Sequence, residues 1–529
     1  MASRVKPRAS RQSLDLSPKM EDSHQNDAEA LQPSVSWPES VTGGGALAPE
    51  GEALAPEGEA LLERMRRSRT ALLGLGVEHR ALARFLATRG IRFRVCDAVR
   101  PPDWEILEQE LGAWLQGWCL GAAYLQGLED FDLVFRTPGI APDCRELDRA
   151  RKRGTWICSQ TRLFAALCPA PLIGVTGTKG KGTTASLLAA MLRTGDRQRV
   201  WLGGNIGTPP IRWLGEISTA DRVVLELSSF QLADWETSPH GAVLLHVTRD
   251  HLDYHGSVTA YRQAKQRICR YQEEADWLVV DDDCPAARTL ARSSPATLLR
   301  FSRTHAVRYG AWVHDRQIHM RMPGGLSQPV CSLADIRLRG PHNWGNVAAA
   351  VAAAGMCGVA PADIRQAVRS FGGLPHRLQQ VALYHDIAFF DDSLATTPEA
   401  AAASLAAFDH PVVLLAGGAG KGLDYGVLAD AIVRHPVRAV VLIGQDAGRI
   451  AAALAAAGFA AHRVVDGGTS MDAAVRSAHG RARRGDVVLL APACASFDMF
   501  DDYAHRGAAF AAAVQALSGG SAGSRNTGS

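Results

Sequence analysis

A glycine- and lysine-rich loop, VTGTKGKGTT at residues 175–184, lies between an apolar run and a leucine- and alanine-rich helical pattern. Backbone N–H groups at a helix start and the helix dipole favour anions, and Lys181 adds a positive charge. This order of elements predicts a phosphate-binding site. The spacing departs from the common phosphate-loop motif, because Val175 replaces a glycine and Gly182 replaces the serine or threonine that usually follows the lysine.

A carboxylate interrupts a second strand-like run, VVLELSS at residues 223–229, where Glu226 has apolar neighbours. Burying an unpaired carboxylate is costly, so Glu226 indicates either a buried ion pair or a metal site. We favour Mg²⁺, which uses carboxylates together with phosphate oxygens. His251 and His255 lie four residues apart but lack the adjacent glutamate of a zinc-binding helix, and solvated loop histidines remain an alternative. From its helix alone, Lys265 reads as a surface lysine.

Further polar segments follow strand-like runs in both flanking parts of the chain. GLGVEHR at residues 74–80, with Asp97 downstream, resembles a dinucleotide fingerprint without its third glycine, and favours a nucleotide-like diphosphate over a nicotinamide cofactor. Near the other end, three polar strand ends (391–400, 414–426 and 491–500) could each bind an anion. Together they predict a second substrate that carries carboxylates.

The elements that must position these residues alternate between strand-like runs and helical periodicity, which is typical of layered α/β folds. We predict three consecutive α/β units: a Rossmann-like unit over 67–168, a central unit with the phosphate loop over 169–373 and a second Rossmann-like unit over 374–517. Residues 1–66 are rich in Ser, Pro, Glu and Gly, and we expect a disordered extension there. Residues 518–529 are expected to form a flexible tail.

The composition argues against several classes of protein. The chain has 529 residues, of which 47% are hydrophobic and 21% charged, and its formal net charge is +3. No basic cluster indicates a nucleic-acid partner, and no apolar run approaches the roughly 18 to 20 residues that span a bilayer. The ten cysteines form no CxxC pair, which favours a reducing cytoplasm over a disulfide framework or zinc ribbon.

Taken together and in order, the motifs between about residues 70 and 517 resemble the Mur ligases, within them the branch that adds D-glutamate. The segments that carry the resemblance are GVTGTKGKGTT (174–184), GGNIG (203–207), LELSSFQL (225–232), VTRDHLDYHGS (247–257), YRQAKQRI (261–268), GPHNWGN (340–346), GLPHR (373–377), DDSLATTPEA (391–400), GGAGKG (417–422) and ACASFDMFDDYAHRG (493–507).

The resemblance implies an ATP-dependent amide ligase of peptidoglycan precursor synthesis, a cytoplasmic monomer with two Mg²⁺ ions. ATP would phosphorylate the carboxylate of UDP-N-acetylmuramoyl-L-alanine, and the amine of glutamate would attack the acyl phosphate and release phosphate. The acyl phosphate supplies the leaving group that a carboxylate lacks, and cations stabilise charge on the transferring phosphoryl group.

The resemblance also implies a role for each matching residue. Lys181, Glu226, His251 and Lys265 would be catalytic. Thr183, Glu226, His251 and Lys265 would hold metal, with a carbamate on Lys265. ATP would contact Gly177, Thr178, Lys179, Gly180, Lys181, Gly182, Thr183, Asn343, Asn346, Arg377 and Asp392. The uridine-diphosphate substrate would contact Gly76, Val77, Asp97, Arg100, Gly139 and Asn205. Glutamate would contact Thr396, Lys421, Ser496 and Tyr503.

Two departures from the family pattern keep alternatives open. Gly182 stands where the family usually has a metal-binding hydroxyl, so Thr183 is expected to take over this role; the GKG order also resembles folylpolyglutamate synthetases. Leu394 stands where the family commonly has lysine, as in a branch that resembles L-glutamate-adding ligases. The alternatives to D-glutamate addition are thus L-glutamate addition, a folylpolyglutamate synthetase, or a catalytically weakened paralogue that binds the UDP-sugar peptide.

Overall fold

The computed structural model describes residues 56–194, 198–206, 208–338, 340–420 and 423–519. The predicted disorder of residues 1–55, the predicted tail at 520–529 and the predicted role of Lys421 lie outside the described residues. The described part forms three α/β domains, each with its own sheet, which confirms the predicted fold class.

The N-terminal domain has a five-stranded parallel sheet in the order β3-β2-β1-β4-β5. Its strands are β1 (Thr70–Leu73), β2 (Phe93–Asp97), β3 (Leu115–Leu120), β4 (Leu133–Arg136) and β5 (Trp156–Cys158). Its helices are α1 (Pro56–Arg66), α2 (Val77–Thr88), α3 (Trp104–Leu111), α4 (Arg145–Lys152) and α5 (Gln160–Leu167).

Helix α1 corrects the prediction that the whole of residues 1–66 is disordered. Leu61, Leu62 and Met65 are buried on one side of this helix. They lie at the three- and four-residue spacing of one helix face, so docking against the domain offsets the cost of ordering the segment. At the other end, the last helix continues to Gly519, so the predicted tail does not begin at residue 518.

The central domain has a nine-stranded sheet in the order β14-β13-β12-β11-β10-β9-β6-β8-β7, antiparallel only among β12, β13 and β14. Its strands are β6 (Leu172–Thr176), β7 (Val200–Gly204), β8 (Arg222–Glu226), β9 (Gly241–Leu244), β10 (Trp277–Asp281), β11 (Thr297–Ser302), β12 (Gly310–His314), β13 (Gln317–Arg321) and β14 (Gln328–Ser332). Its helices are α6 (Lys181–Thr194), α7 (Ser229–Leu232), α8 (Leu252–His255), α9 (Val258–Arg270), α10 (Pro285–Ala291), α11 (His342–Met356) and α12 (Pro361–Ser370).

The C-terminal domain has a six-stranded sheet in the order β15-β16-β20-β17-β18-β19, in which only β15 runs antiparallel to its neighbour. Its strands are β15 (Gln379–Tyr384), β16 (Ile387–Asp391), β17 (Val412–Gly417), β18 (Val437–Ile443), β19 (Val464–Asp466) and β20 (Val487–Leu490). Its helices are α13 (Pro398–Leu405), α14 (Gly426–Arg434), α15 (Ala447–Ala456), α16 (Met471–Arg481) and α17 (Tyr503–Gly519).

The alanine-rich helix α11 packs against α6, the helix that follows the phosphate loop. Its alanines from Ala348 to Ala354 are fully buried and pack with α6 in the core of the central domain. Small side chains let α6 and α11 approach closely, which brings the start of α11 to the loop between β6 and α6. None of the helices in the described ranges has the length and apolar character needed to cross a membrane.

A buried arginine joins the N-terminal and central domains. Arg136 at the end of β4 has no exposed surface, and its Nη2 lies 2.9 Å from Asp234 Oδ2 of the central domain. The same guanidinium donates to the carbonyls of Ile140 and Phe230 and to the hydroxyl of Tyr254. Because the charge is paired and its donors are satisfied, burial is tolerated and the relative position of the two domains is fixed at this point.

Candidate active site

The phosphate loop connects β6 to α6 and is held by the next strand of the sheet. Thr178 N donates to His246 O at 2.8 Å, and Thr178 Oγ1 accepts a hydrogen bond from Thr248 N at 3.0 Å. Two of its glycines are required by close approach. A Cβ at Gly177 would lie 2.7 Å from Leu245 Cβ, and a Cβ at Gly180, where φ is +86°, would overlap the side chain of Asn346.

Glu226 ends β8 beside the loop, because Val175 and Glu226 are partners in the parallel register of β6 and β8. Burial raises the pKa of Glu226, an effect opposed by Lys181, by a hydrogen bond from Asn205 and by Arg377. Burial likewise lowers the pKa of Lys181, an effect that Glu226 opposes. Asn205 Nδ2 donates to Glu226 Oε1 at 3.2 Å, so this predicted substrate contact lies against the predicted metal carboxylate.

Lys265 lies under the same loop, and its interpretation as a surface lysine is wrong. The side chain is 2% exposed, and its Nζ donates to Gly177 O at 2.7 Å and to Thr176 Oγ1 at 3.3 Å. Burial lowers the pKa of Lys265 to about 7, and the charge of Lys181 acts in the same direction. At neutral pH the amine is therefore neutral for a large part of the time and can act as a nucleophile.

His251 occupies a strained position at the start of α8. Its φ of 49° is left-handed, a conformation that costs a non-glycine residue about 1 to 3 kcal/mol and is common at functional sites. Its ring packs on Phe230 with centroids 4.7 Å apart, and its Nε2 lies 3.6 Å from Asp250 Oδ2. His255, the other member of the histidine pair, has its Nε2 3.0 Å from Ser229 Oγ, which accounts for this ring without a metal.

Gly182, the first residue after the loop lysine, faces the Glu226 carboxylate. A Cβ at this position would lie 3.4 Å from Glu226 Oε2 and 3.1 Å from Leu374 Cδ1. A serine or threonine here would therefore reach the carboxylate. Thr183 follows about 100° further around the helix. Its proposed role as the replacement hydroxyl stays a prediction.

Several residues predicted to contact ATP lie on α11 and at the start of the C-terminal domain. Asn346 Nδ2 donates to Asn343 Oδ1 at 2.8 Å, and Asn346 lies directly over Gly180 of the loop. Burial lowers the pKa of His342 at the start of α11. The positive charges of Arg377 and Lys179, among others, lower this pKa further. Cations and amides thus surround the open side of the loop, as a polyphosphate would require.

A tight turn before β15 positions Arg377. The two residues that flank this arginine, His376 (φ 61°) and Leu378 (φ 43°), are both left-handed. His376 Nδ1 lies 2.7 Å from the buried carboxylate of Asp391, and Leu378 N donates to Asp392 Oδ1 at 3.2 Å. Asp392 therefore shapes the turn that carries Arg377, while burial raises the pKa of its carboxyl group.

The predicted glutamate residues of the C-terminal domain lie on segments that meet near Tyr503. Tyr503 O accepts a hydrogen bond from Ser393 Oγ at 2.7 Å, and its ring packs on His376 with centroids 6.3 Å apart. Ser496 is 2% exposed, and Thr396 is partly exposed. The structure brings the strand ends that carry these residues to one edge of the sheet.

A buried arginine that the sequence reasoning missed joins two of these segments. Arg506 has no exposed surface, and it donates from Nε to Ser393 Oγ and from Nη1 to the carbonyls of Cys494 and Ala495. Burial lowers its pKa to about 10. Its position in the quoted segment DDYAHRG was the only available signal, since nothing in the spacing marks it as buried.

The predicted diphosphate-binding segment, residues 74–80, forms the turn after β1 and the start of α2. Gly76 precedes the first turn, and Val77 is 73% exposed there. His79, which replaces the third fingerprint glycine, is 1% exposed with its Nδ1 2.8 Å from Gly74 O. Burial lowers the pKa of His79 to about 4, so the ring is neutral and fills the space where helix and strand meet.

The other predicted uridine-diphosphate residues lie at the ends of neighbouring strands. Asp97 Oδ2 accepts a hydrogen bond from Leu75 N at 2.8 Å, which fixes the GLG turn. Arg100 lies over Trp104, with its guanidinium 4.2 Å from the ring centroid. Gly139 lies in a turn between Pro138 and Ile140, whose carbonyls both accept from the hydroxyl of a tyrosine in the central domain.

Two further residues could have been found by helix periodicity. Tyr261 and Ile268 lie on the same face of α9 as Lys265, four residues before it and three after it, and all are buried. This apolar neighbourhood would have marked Lys265 as buried. Tyr261 OH lies 2.9 Å from Thr178 Oγ1, so it also anchors the phosphate loop.

Comparisons with known proteins agree with this geometry. Residues 68–159 match the profile of the MurD-like N-terminal domain of Mur ligases, 175–354 that of the Mur ligase middle domain and 376–494 that of the Mur ligase glutamate ligase domain. A MurF crystal structure from Acinetobacter baumannii shares the fold, with a TM-score of 0.52, 17% identity and coverage of 86% of this chain and 98% of that one. The chain belongs to the Mur ligase family.

Within that family, the chain is similar to D-glutamate ligases over nearly their whole length. The UDP-N-acetylmuramoylalanine–D-glutamate ligase of Symbiobacterium thermophilum is 39% identical over 454 residues, which cover 85% of this chain and 98% of that protein. The enzyme of the same name from Acidobacterium capsulatum is 39% identical over 457 residues, covering 85% of this chain and 97% of that protein.

Proposed function

We propose that this chain joins D-glutamate to UDP-N-acetylmuramoyl-L-alanine at the expense of ATP, in the cytoplasmic synthesis of peptidoglycan precursors. The observation that carries the proposal is the cluster of Lys181, Glu226 and Lys265 around one phosphate loop in a chain related to D-glutamate ligases. Charged groups this deeply buried have little structural use, because each destabilises the fold unless it is paired.

The phosphate loop would bind the polyphosphate of ATP. Backbone N–H groups of the loop, other than that of Thr178, which already bonds to His246 O, would be donors together with the ammonium of Lys181. Lys179 and Arg377 would add positive charge. Asn343, Asn346 and Asp392 are proposed to contact the rest of the nucleotide. The pKa of Lys181 is lowered by burial, and an anionic phosphate would favour its charged form.

The residues present fit magnesium. Glu226 is a buried carboxylate beside the phosphate loop, and burial raises its pKa although Lys181 and Arg377 act in the opposite direction. A bound cation would favour its charged form. We assign Glu226, His251 and a carbamate on Lys265 as ligands of two ions, with Thr183 as a hydroxyl ligand. Bound Mg²⁺ would neutralise charge on the transferring phosphoryl group.

The carbamate proposal follows from the protonation state of Lys265. A neutral amine adds to carbon dioxide: the Nζ lone pair forms the N–C bond, and one N–H proton leaves to solvent. The product is an anion, whereas the free amine is neutral or cationic. Its negative charge would complement Lys181 nearby and make this buried position a metal ligand.

Amide formation would take place between the central and C-terminal domains. The substrate carboxylate would attack the γ-phosphorus of ATP and release ADP. The glutamate amine would then attack the acyl carbon, lose a proton to solvent and expel phosphate. Thr396, Lys421, Ser496 and Tyr503 are proposed to hold the glutamate carboxylates. Gly76, Val77, Asp97, Arg100, Gly139 and Asn205 are proposed to hold the uridine-diphosphate substrate.

The test is phosphate release from ATP with UDP-N-acetylmuramoyl-L-alanine, Mg²⁺ and either D- or L-glutamate. We expect release with D-glutamate only. Release with L-glutamate only would overturn the stereochemical assignment and point to Leu394, which replaces the family lysine. No release with either amino acid would refute the ligase proposal and leave a binding paralogue.

A matched pair of lysine variants tests the role of Lys265 against an exposed lysine of another domain. We expect Lys265→Ala to lose activity, with no rescue by bicarbonate, because the carbamate needs the amine. Lys152→Ala, which removes the last residue of α4 in the N-terminal domain, should retain activity. Full activity of Lys265→Ala would exclude the carbamate role.

A further inference from the structure

Three potential metal ligands of different chemistry meet at the ends of β9 and β10. His246 follows β9, Asp281 ends β10, and Cys284 precedes α10. One ligand atom from each residue lies within 4.8 Å of those of the other two. We propose that this triad is a binding site for a thiophilic divalent cation of the zinc class, separate from the magnesium ligands of the proposed active site.

The distances are close to what such an ion needs. His246 Nδ1 and Asp281 Oδ2 are 3.1 Å apart. Zinc bonds of about 2.0 to 2.3 Å in tetrahedral geometry would bring ligand atoms to roughly 3.3 to 3.8 Å from one another. The triad therefore needs ligand atoms to approach by about 1.5 Å at most, and His246, whose side chain is 55% exposed, can contribute to this by rotating.

Charge also favours a cation at this position. Asp281 is 5% exposed, and its contacts in the described structure are the ring of His246 and the backbone N–H of Asp283. The carboxylate has no lysine or arginine within salt-bridge distance in the part of the chain described. A bound cation would supply the missing positive charge, and a buried carboxylate without it is costly.

The donor set discriminates between metals. A thiolate, an imidazole and a carboxylate suit zinc or cobalt, whereas Mg²⁺ prefers an all-oxygen environment. Cys284 is 2% exposed, and its sulfur contacts both backbone polar atoms of Val247, at 3.5 Å from N and 3.6 Å from O. The thiol is thus aimed at the turn that carries His246. Three protein ligands and one solvent-facing position form an open site.

The site adjoins the phosphate loop through the backbone of the same residue. His246 O accepts the hydrogen bond from Thr178 N, so an ion on the His246 ring would restrain the segment against which the loop is held. Any coupling between this ion and ATP would have to be reciprocal, because linkage applies equally to both ligands.

The experiment is a cobalt titration of the purified full chain in saturating Mg²⁺, which occupies oxygen-rich sites. We expect one Co²⁺ per chain, with a near-ultraviolet sulfur-to-cobalt band and the visible bands of tetrahedral coordination, and stoichiometric displacement by Zn²⁺. Cys284→Ser should abolish the sulfur band. Cys357→Ser, which changes another free cysteine of the same domain, should leave it intact.

A second variant keeps the test valid if Cys284→Ser fails to fold. His246→Asn alters an exposed side chain and should weaken Co²⁺ binding about tenfold or more while the sulfur band persists at saturation. The proposal is overturned if the natural chain gives no sulfur band, if the band survives in Cys284→Ser, or if His246→Asn binds Co²⁺ with unchanged affinity.

Discussion

The burial of Lys265 predicts how much more readily this lysine is carbamylated than an ordinary lysine. Carbon dioxide reacts with the neutral amine, so the reactive fraction of each lysine is set by its pKa. With a pKa of about 7, Lys265 is about one-half neutral at pH 7. A lysine with the ordinary value near 10.5 is neutral in only about 3 molecules in 10,000. The ratio of reactive fractions is roughly 1,500.

Two hydrogen bonds oppose this advantage. Nζ donates to Gly177 O and Thr176 Oγ1, and both contacts must rearrange when the carbamate forms. At about 1 kcal/mol each, they reduce the ratio by about 30-fold. The net preference for Lys265 is then roughly 50-fold, so the depressed pKa outweighs the lost hydrogen bonds.

The assay exposes the full chain to isotopically labelled carbon dioxide, traps carbamates by O-alkylation and measures the modified peptides by mass spectrometry. Lys179, an exposed lysine in the phosphate loop, is the internal control. At fixed dissolved carbon dioxide, the Lys265 yield should fall roughly fivefold from pH 7 to pH 6, since its neutral fraction falls by that factor. Equal trapping at Lys179 and Lys265, or none at Lys265, would refute the reasoning.

The remaining predictions concern buried charges. Arg136→Met leaves Asp234 buried and without its charge partner, and should lower the free energy of unfolding by about 3 to 5 kcal/mol in urea titrations. Arg69→Met breaks an exposed ion pair with Asp132 and should change the free energy of unfolding far less. Similar losses in both variants would contradict this. Arg506→Lys removes donors to backbone carbonyls; we expect the KM for glutamate to rise at least about tenfold with the KM for ATP unchanged, and equal changes in both would argue for a merely structural role. Glu226→Gln should raise the Mg²⁺ concentration needed for half-maximal phosphate release about tenfold or more, and an unchanged requirement would remove Glu226 from the metal site.

Local sequence patterns predicted those features that depend on local physics. The order of strand, glycine loop and helix located the phosphate loop, because the glycines permit approach distances that no other residue allows. The alternation of strands and helices predicted three α/β units, and the structure has three sheets. Strands β13 and β14, which pair antiparallel, extend the central sheet to one edge, and the antiparallel strand β15 forms an edge of the C-terminal sheet.

Features that depend on tertiary packing were missed or misread. The sequence places α1 within a disordered extension because the residues around it are of low complexity. Its three apolar residues are buried only by packing in the folded domain, which the local sequence does not reveal. Lys265 read as a surface residue because its burial comes from the loop above α9. Arg506 became recognisable only when the two segments that it joins were seen together.

The sequence and the structure point to different positions for a metal-binding hydroxyl near Glu226. The sequence offers Thr183 as the replacement for the hydroxyl that Gly182 lacks, yet position 182 is the one whose Cβ would lie 3.4 Å from the carboxylate. If Thr183 is the metal ligand, Thr183→Ala should raise the Mg²⁺ requirement, and adding Gly182→Ser to it should restore the natural value. If Thr183→Ala leaves the requirement unchanged, Glu226 acts without a neighbouring hydroxyl, and solvent completes the coordination of the ion.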